Sequence, residues 1–175
     1  IFDDTEQDFE NNYHPTDYSK SLGKITVRRA VESSQNIPFV EIMEKLKPKN
    51  SIKYLEKMGV TTLTEEDNSL PLALGGLEKG ISPLQMAGAY STIANDGIYI
   101  EPTFYTKIDK KDGTVFIKTS QKTKRVCSKQ VAYILKEILT QPVLGENGTA
   151  TYCKISGVDV AAKTGTTDEN YDRWL

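Results

Sequence analysis

The order of the predicted secondary structure is the feature that most restricts the fold of this chain. The strongest helical segment, SPLQMAGAYSTIANDG at 82–97, has Ser82 as a typical N-cap, Pro83 in the first turn and Asn-Asp-Gly at its end. A strand-turn-strand pattern follows at 103–119, TFYTKIDKKDGTVFIKT. Since helical segments precede the β-rich ones instead of alternating with them, the sequence predicts an α+β fold.

Hydrophobic periodicity and capping residues predict the remaining elements. Thr26 is expected to cap the first helix, and Asn50 or Ser51 the third, which Gly59 ends. Helices are predicted at 25–34, 37–46, 50–59 and 128–143, loops at 1–24, 72–80 and 145–151, and a strand at 158–167.

Composition indicates one globular domain. The chain has 175 residues, of which 38% are hydrophobic and 26% charged, and its net charge is −2. Basic residues are spread along the chain, so nucleic acid is not an expected partner. The apolar runs are too short to cross a bilayer, and the acidic opening IFDDTEQDFENNY is unlike a signal peptide. A membrane anchor is therefore expected outside this chain.

Few residues are candidates for histidine or cysteine chemistry. His14 is the single histidine and follows a tyrosine in a polar loop, so a Ser-His-Asp triad is not expected. Cys127 and Cys153 lack metal-binding spacing. They are expected to be ordinary thiols, although they could pair if the protein is exported. Any serine chemistry in this chain therefore needs a base other than histidine.

The segment GVDVAAKT at 157–164 resembles a phosphate-binding loop, but its details disfavour nucleotide binding. Ala162 stands where the second glycine would let the backbone bend around a phosphate. Val158 and Val160 favour extended backbone where that loop should curl. Gly165 would also weaken the start of the helix that has to follow.

The overlapping segment KTGT, Lys163 to Thr166, fits a strand edge that binds a carboxylate. Side chains alternate along a strand, so Thr164 and Thr166 share one side and can hold one carboxylate. Gly165 lets a peptide-like substrate lie against the backbone, and Lys163 adds positive charge. Alone, the motif equally fits an ordinary surface strand.

A second motif points to a particular family. The segment SSQN contains Ser34-Gln35-Asn36, a Ser-x-Asn motif that precedes Lys-Thr-Gly, as in penicillin-binding proteins and class A β-lactamases. The segments 25–40, 71–108 and 163–175 resemble the transpeptidase domain of class A, bifunctional penicillin-binding proteins. The resemblance implies the penicillin-binding protein and serine β-lactamase-like fold, an antiparallel sheet with helices. Residues 1–175 are expected to be the C-terminal part of that domain, incomplete at both ends.

The family's nucleophile is the serine of a Ser-x-x-Lys motif, and the only match here is Ser21-Leu22-Gly23-Lys24. A catalytic motif of this kind needs a helix start that places serine and lysine one turn apart, and Gly23 weakens such a turn. The match also lies too close to Ser34 for the family's spacing. The nucleophile is therefore expected before residue 1, and the strand that pairs with KTGT is expected to begin near DRWL.

The resemblance implies roles for the remaining motif residues. Ser34 would relay a proton and contact Lys163, and Asn36 would bind the substrate amide. Thr164 and Thr166 would bind the substrate carboxylate. The N–H of Thr166 would form half of an oxyanion hole. The implied partners are peptidoglycan stem peptides ending in D-Ala-D-Ala, and β-lactam antibiotics, with no cofactor and no metal. The implied location is the outer face of the cell membrane. A serine β-lactamase and a non-catalytic β-lactam sensor or scaffold domain remain as alternatives.

Overall fold

The protein was analysed as a computed structural model, which describes residues 1–167 and 171–175. Antiparallel strand pairs and separate helices make up these residues, which confirms the α+β prediction. Their helices are α1 (Val27–Ser33), α2 (Ile37–Leu46), α3 (Pro48–Lys57), α4 (Pro83–Ala94), α5 (Lys129–Leu139) and α6 (Gln141–Leu144). Their strands are β1 (Phe2–Asp3), β2 (Lys24–Ile25), β3 (Ile98–Ile100), β4 (Lys107–Asp109), β5 (Val115–Lys118), β6 (Thr123–Arg125), β7 (Gly165–Thr166) and β8 (Arg173–Trp174). The pairs are β1–β2, β3–β6, β4–β5 and β7–β8.

The hydrophobic core lies between α2 and the short 3₁₀ helix at Leu70–Leu74. Ile37, Val40 and Met43 recur every third residue along α2 and are buried, so this helix presents one apolar face to the core. Phe9, from the N-terminal segment, is buried in the same cluster. The core thus fixes the start of α2 against the N-terminal segment.

The N-terminal part of the predicted architecture needs two corrections. Residues 1–24 are not only loop, because Phe2 pairs with Ile25 in β1–β2 and a 3₁₀ turn forms at Glu10–Asn12. The first helix is shorter than 25–34, since Ile25 belongs to a strand and Ser34 has left-handed backbone angles. Its predicted cap is confirmed: the Thr26 side chain accepts a hydrogen bond from the Arg29 N–H.

Proline explains two further differences. The third helix begins at Pro48, where a missing N–H costs nothing, so neither Asn50 nor Ser51 is its cap. The predicted helix at 128–143 is divided into α5 and α6 at Thr140. Pro142 cannot donate a hydrogen bond to the carbonyl of residue 138, so the continuous helix is interrupted there.

The β-rich segments were predicted in part. The hairpin at 103–119 is confirmed as β4–β5, and Ser82 caps α4 in a capping box with Gln85. That helix ends at Ala94, however, and the following residues form β3, which pairs with a strand that was not predicted, β6. The strand predicted at 158–167 is wrong for most of its length, because only β7 is paired within the described residues. The residues before β7 are instead bonded to the end of α5, where the Ala162 N–H donates to the Leu139 carbonyl.

Within residues 1–167 and 171–175, every helix is too short or too polar to cross a membrane.

Gly97 joins α4 to β3 and should be the least replaceable glycine of this region. It has φ +81°, and a Cβ atom there would lie 2.5 Å from the Cys127 carbonyl oxygen. Gly113, in the β4–β5 turn, has φ +82° with nothing within 4 Å, and is a matched control. We expect Gly113→Ala to cost about 1–2 kcal/mol from backbone strain alone. Gly97→Ala should cost ~1–3 kcal/mol more from overpacking. Urea unfolding followed by circular dichroism measures both, and equal losses would contradict the predicted clash.

Candidate active site

The Ser34-Gln35-Asn36 segment is a sharp turn between α1 and α2. Ser34 ends α1 in the left-handed region with φ 56°, and the Gln35 N–H donates back to the Ala30 carbonyl at 3.0 Å. This closes the helix in the way a C-terminal glycine usually does. A serine in this conformation is strained, and such strain persists only where the surroundings impose it.

The side chain of Gln35 supplies much of that constraint. Gln35 is 1% exposed, and its Nε2 donates to Asp4 Oδ2 at 2.7 Å and to the Lys20 carbonyl at 3.3 Å. Its Oε1 accepts from Ser19 Oγ at 2.6 Å. The sequence analysis treated Gln35 as the variable position of Ser-x-Asn. No sequence signal marks it, because glutamine is usually a surface residue.

Asn36 is held from the opposite side. Its backbone N–H donates to Asp17 Oδ1, and its side-chain Nδ2 donates to the Thr16 carbonyl at 2.8 Å. The carbonyl oxygen of its amide is without a partner among the described residues and remains able to accept a hydrogen bond. Asn36 lines a groove of about 1100 Å³, so that amide is available to a ligand.

Lys163 reaches this turn from the far end of the chain. Its Nζ donates to Ser34 Oγ at 2.6 Å and to the Thr164 carbonyl at 2.7 Å. The contact expected between Ser34 and Lys163 is therefore present. Burial disfavours the charged form and lowers the pKa of Lys163. A lysine with a lowered pKa can release its proton. The hydrogen bond places this lysine next to the Ser34 hydroxyl, which can pass a proton on.

The KTGT residues form one wall of the groove. Its lining includes Lys163, Thr164, Gly165 and Thr166, whereas Ser34 is not a lining residue. Thr164 is held by a residue that the sequence analysis did not select, since its Oγ1 lies 2.9 Å from Thr149 Oγ1. Threonine in a Gly-rich loop carries no distinctive signal.

The segment around Thr149 was predicted as a flexible loop, but backbone hydrogen bonds tie it to the helices. The Asn147 N–H donates to Glu32 Oε1 of α1 at 3.0 Å. The Ala150 N–H donates to the Pro142 carbonyl of α6 at 2.8 Å.

β7 and β8 decide where the adjacent threonines point. Gly165 pairs with Trp174, and Thr166 with Arg173, so the strand expected near DRWL is present. The Thr167 Oγ1 accepts from the Asp172 N–H at 2.8 Å and is thereby occupied in the turn. Thr166 and Thr167 are both exposed and both line the groove, so the two residues differ in that the hydroxyl of Thr167 is already hydrogen-bonded. Residues 168–170, part of the segment that carried the family resemblance, lie outside the described residues.

The remaining sequence candidates lie apart from this arrangement. Ser21 is in an exposed segment without helical structure, its Oγ accepts from the Gly23 N–H at 3.3 Å, and Lys24 belongs to β2. Neither residue of this match lines the groove. His14 does line it, but its Nδ1 pairs with Asp8 at 2.6 Å.

Cysteine, metal and nucleotide chemistry find no support in the described part of the chain. Cys127 and Cys153 are free thiols. Residues 1–167 and 171–175 contain no cluster of three or more histidine, cysteine or acidic side chains placed to hold a metal. The nucleotide interpretation of 157–164 fails because Lys163 donates to Ser34 and the Thr164 carbonyl, and β7 follows it where a helix would be required.

Solved structures share this arrangement of helices and strands. Penicillin-binding protein 1A from Haemophilus influenzae superposes with a TM-score of 0.83 at 21% identity, covering 95% of this chain and 31% of that one. An imipenem acyl-enzyme complex of penicillin-binding protein A from M. tuberculosis gives a TM-score of 0.79 at 22% identity, covering 95% and 42%. The fold is therefore the transpeptidase fold that the sequence resemblance implied.

Sequence similarity defines the family. The profile described as "Penicillin binding protein transpeptidase domain" matches residues 2–173, so the chain belongs to the family of penicillin-binding protein transpeptidase domains. It is also 40% identical over 157 residues to penicillin-binding protein 1F of Bacillus subtilis. That alignment covers 89% of this chain but only 21% of the relative's length.

Two adjacent serines provide a test of the Lys163 contact. Ser34 Oγ accepts from Lys163, whereas Ser33 Oγ is buried without a partner among residues 1–167 and 171–175. Ser34→Ala should cost about 1–3 kcal/mol, because a hydrogen bond to a buried amine is lost. Ser33→Ala should be neutral or stabilising, because it removes an unsatisfied hydroxyl and improves helix propensity. Denaturant titration compares the two variants, and a larger loss for Ser33→Ala would contradict the contact.

Proposed function

We propose that the chain is the C-terminal part of a peptidoglycan D,D-transpeptidase domain that forms a serine acyl-enzyme. The observation that carries the proposal is the 2.6 Å hydrogen bond between Lys163 Nζ and Ser34 Oγ beside a groove wall formed by KTGT. A lysine of lowered pKa next to a hydroxyl supplies acid–base chemistry without histidine. Membership of the transpeptidase family supports this interpretation of the pair.

The groove wall suits a peptide that ends in a carboxylate. Thr164 and Thr166 place two hydroxyl groups along it, and Lys163 adds positive charge. A Cβ added at Gly165 would meet only Trp174 Cβ at 3.7 Å, so the fold itself tolerates alanine there. The absence of a side chain at Gly165 therefore serves the approach of the substrate backbone.

The strand pairing leaves a backbone donor free for the oxyanion. The Thr167 N–H donates to the Asp172 carbonyl at 3.1 Å, so residues 167 and 172 form a hydrogen-bonded pair. Hydrogen-bonded and non-hydrogen-bonded pairs alternate in antiparallel strands, so the Thr166 N–H points away from β8. An N–H on that edge can stabilise the negative charge that develops on a carbonyl oxygen during attack.

In the proposed reaction, a serine hydroxyl attacks the D-Ala-D-Ala carbonyl and its proton passes to a basic amine. The peptide C–N bond breaks and the terminal D-alanine leaves, because Ser34 passes a proton to the leaving nitrogen and regains one from the protonated amine. The acyl group stays on the serine. The amine of a second stem peptide then takes the acyl group, and the serine regains its proton. A β-lactam follows the same first step through its ring amide but remains attached. The related penicillin-binding protein A of M. tuberculosis forms an acyl-enzyme with imipenem.

The nucleophile of this mechanism is proposed to lie outside residues 1–175, in a Ser-x-x-Lys segment of a longer protein. The absence of helix around Ser21 and its position outside the groove support this. The proposed partners are stem peptides and β-lactams. The proposed location is the outer face of the cell membrane, with the anchor elsewhere in the protein.

Fluorescent penicillin tests the function and the position of the nucleophile together. The full-length protein should acquire a stable covalent label on a serine outside residues 1–175, and Ser21→Ala should leave that labelling unchanged. The 175-residue chain alone should stay unlabelled. A label that maps to Ser21 would overturn the position of the nucleophile. Rapid release of the label would indicate a β-lactamase, and no label on the full-length protein would indicate a non-catalytic domain.

The two neighbouring threonines test the carboxylate site. Thr166→Val removes a hydroxyl from the groove, whereas Thr167→Val removes one already bonded to the Asp172 N–H. A hydrogen bond to a charged group contributes about 1.5–3 kcal/mol, so Thr166→Val should slow acylation about ten- to a hundredfold. Thr167→Val should slow it less. The measurement is the second-order rate of acylation of the full-length protein by penicillin, and an equal or larger loss at Thr167 would refute the assignment.

A further inference from the structure

Asp17 caps the helix that follows the Ser34-Gln35-Asn36 turn, although it lies far from that helix in sequence. The N-cap residue of α2 makes no side-chain capping bond. Instead Asp17 Oδ1 accepts from the N–H groups of Asn36 and of Ile37, the latter at 3.4 Å. These are free donors at the positive end of a helix dipole, where a carboxylate oxygen is stabilising.

A second carboxyl group lies against Asp17. Asp4 is fully buried, and its Oδ2 accepts from the Leu22 N–H and from Gln35 Nε2, both at 2.7 Å. The carboxyl groups of Asp4 and Asp17 are in hydrogen-bonding contact. The other oxygen of each, Asp4 Oδ1 and Asp17 Oδ2, is buried and has no hydrogen-bond donor among the described residues.

The surroundings do not neutralise two negative charges. Burial raises the pKa of Asp17, and the charge of Asp4 and its side-chain hydrogen bond raise it further. The hydrogen bonds from the Asn36 and Ile37 N–H groups lower it without cancelling that rise, and among the described residues no cation contributes. Nearby charges are engaged elsewhere: Glu32 with Arg29, and Glu41 with Lys45. The charged side chains on the elements around the pair are Asp3, Lys20, Lys24, Arg28, Arg29, Glu32, Glu41, Glu44 and Lys45.

We propose that Asp4 and Asp17 share one proton between Asp4 Oδ1 and Asp17 Oδ2, and that this pair positions Ser34 and Asn36. The shared proton gives both orphaned oxygens a partner and leaves one negative charge in place of two. Asp4 then holds the turn through Gln35, and Asp17 holds it through the Asn36 N–H. Loss of the proton to solvent leaves two carboxylates in contact, which repel and loosen the turn. The consequence for acylation rests on the proposed function, whereas the shared proton does not.

The amide of Asp17→Asn imitates the protonated pair at every pH. It keeps an oxygen for the Asn36 N–H and offers an N–H to Asp4 Oδ1. In the wild type, the folded state retains a proton that the unfolded state loses above about pH 3.8, which is the ordinary pKa of aspartate. Stability therefore falls as pH rises from that value through the raised pKa of Asp17, and is level above it. The variant lacks this fall, so its melting temperature should exceed that of the wild type at pH 7 and converge with it in acid.

Asp67 provides a matched control with the opposite sign. It is also buried, but it accepts from the Thr64 N–H and the Glu78 N–H, and the hydrogen bond from Glu78 is the largest cause of its lowered pKa. The contribution of Asp67 to stability is therefore present at pH values above the ordinary pKa of aspartate. It is lost as pH falls through the lowered pKa of Asp67. Asp67→Asn should thus lower the melting temperature at pH 7, where Asp17→Asn raises it.

Carbon-13 NMR of the aspartate carboxyl groups in the wild-type chain gives a direct measurement that needs no variant. We expect the Asp17 carboxyl carbon to titrate above pH 3.8, the ordinary pKa of aspartate. Titration of the Asp17 carbon at or below pH 3.8 would overturn the shared proton, as would equal effects of Asp17→Asn and Asp67→Asn at pH 7.

The positioning role is tested by the pH profile of acylation in the full-length protein. The acylation rate of the wild type should fall relative to Asp17→Asn as the pair loses its proton, with fluorescent penicillin as the probe. If the NMR titration is as expected and the two pH profiles are parallel, the positioning role is overturned while the shared proton stands. If neither protein is acylated, the proposed function fails, and the NMR result still decides the shared proton.

Discussion

Gln35 is almost completely buried between the N-terminal segment and the α1–α2 turn, and each end of its amide is hydrogen-bonded. Asp4 and the Lys20 carbonyl accept from its nitrogen, and the Ser19 hydroxyl donates to its oxygen. Loss of this amide would leave several buried polar groups without partners, which costs more than any single bond contributes. The unfavourable backbone of Ser34 is maintained because Gln35 is anchored in this way.

The second constraint is long-range and joins the ends of the chain. A backbone hydrogen bond to the Leu139 carbonyl attaches the segment before β7 to the end of α5. This contact places Lys163 next to Ser34. The β7–β8 pairing and its turn place Thr166 and Thr167 along the groove and leave only the hydroxyl of Thr167 hydrogen-bonded to the Asp172 N–H. Because Lys163 is buried against neutral oxygens, its charged form is disfavoured. The burial that the fold imposes on Lys163 therefore changes the protonation equilibrium of this side chain.

Local sequence signals predicted the elements whose causes are local. Thr26 and Ser82 cap helices through bonds within a few residues, and the β4–β5 hairpin forms around a Lys-Asp-Gly turn. The motif residues were also recognisable, since Ser-x-Asn followed by Lys-Thr-Gly in a matching scaffold is specific. Periodicity failed where proline interrupts a helix at Pro142, and at β3, whose pairing with β6 depends on a strand distant in sequence.

The sequence by itself therefore determined the fold class, the family resemblance and which residues to consider. Only the tertiary structure decided how those residues are held. The partners of Gln35, Asp17 and Thr149 come from distant segments, and nothing in the local sequence of these ordinary polar residues indicates them. The strand predicted around Lys163 shows the same limit: β-branched residues favour extended backbone, but a strand forms only where a partner supplies hydrogen bonds. Among the described residues, pairing with β8 and the turn before it covers only Gly165, Thr166 and Thr167 of the predicted segment.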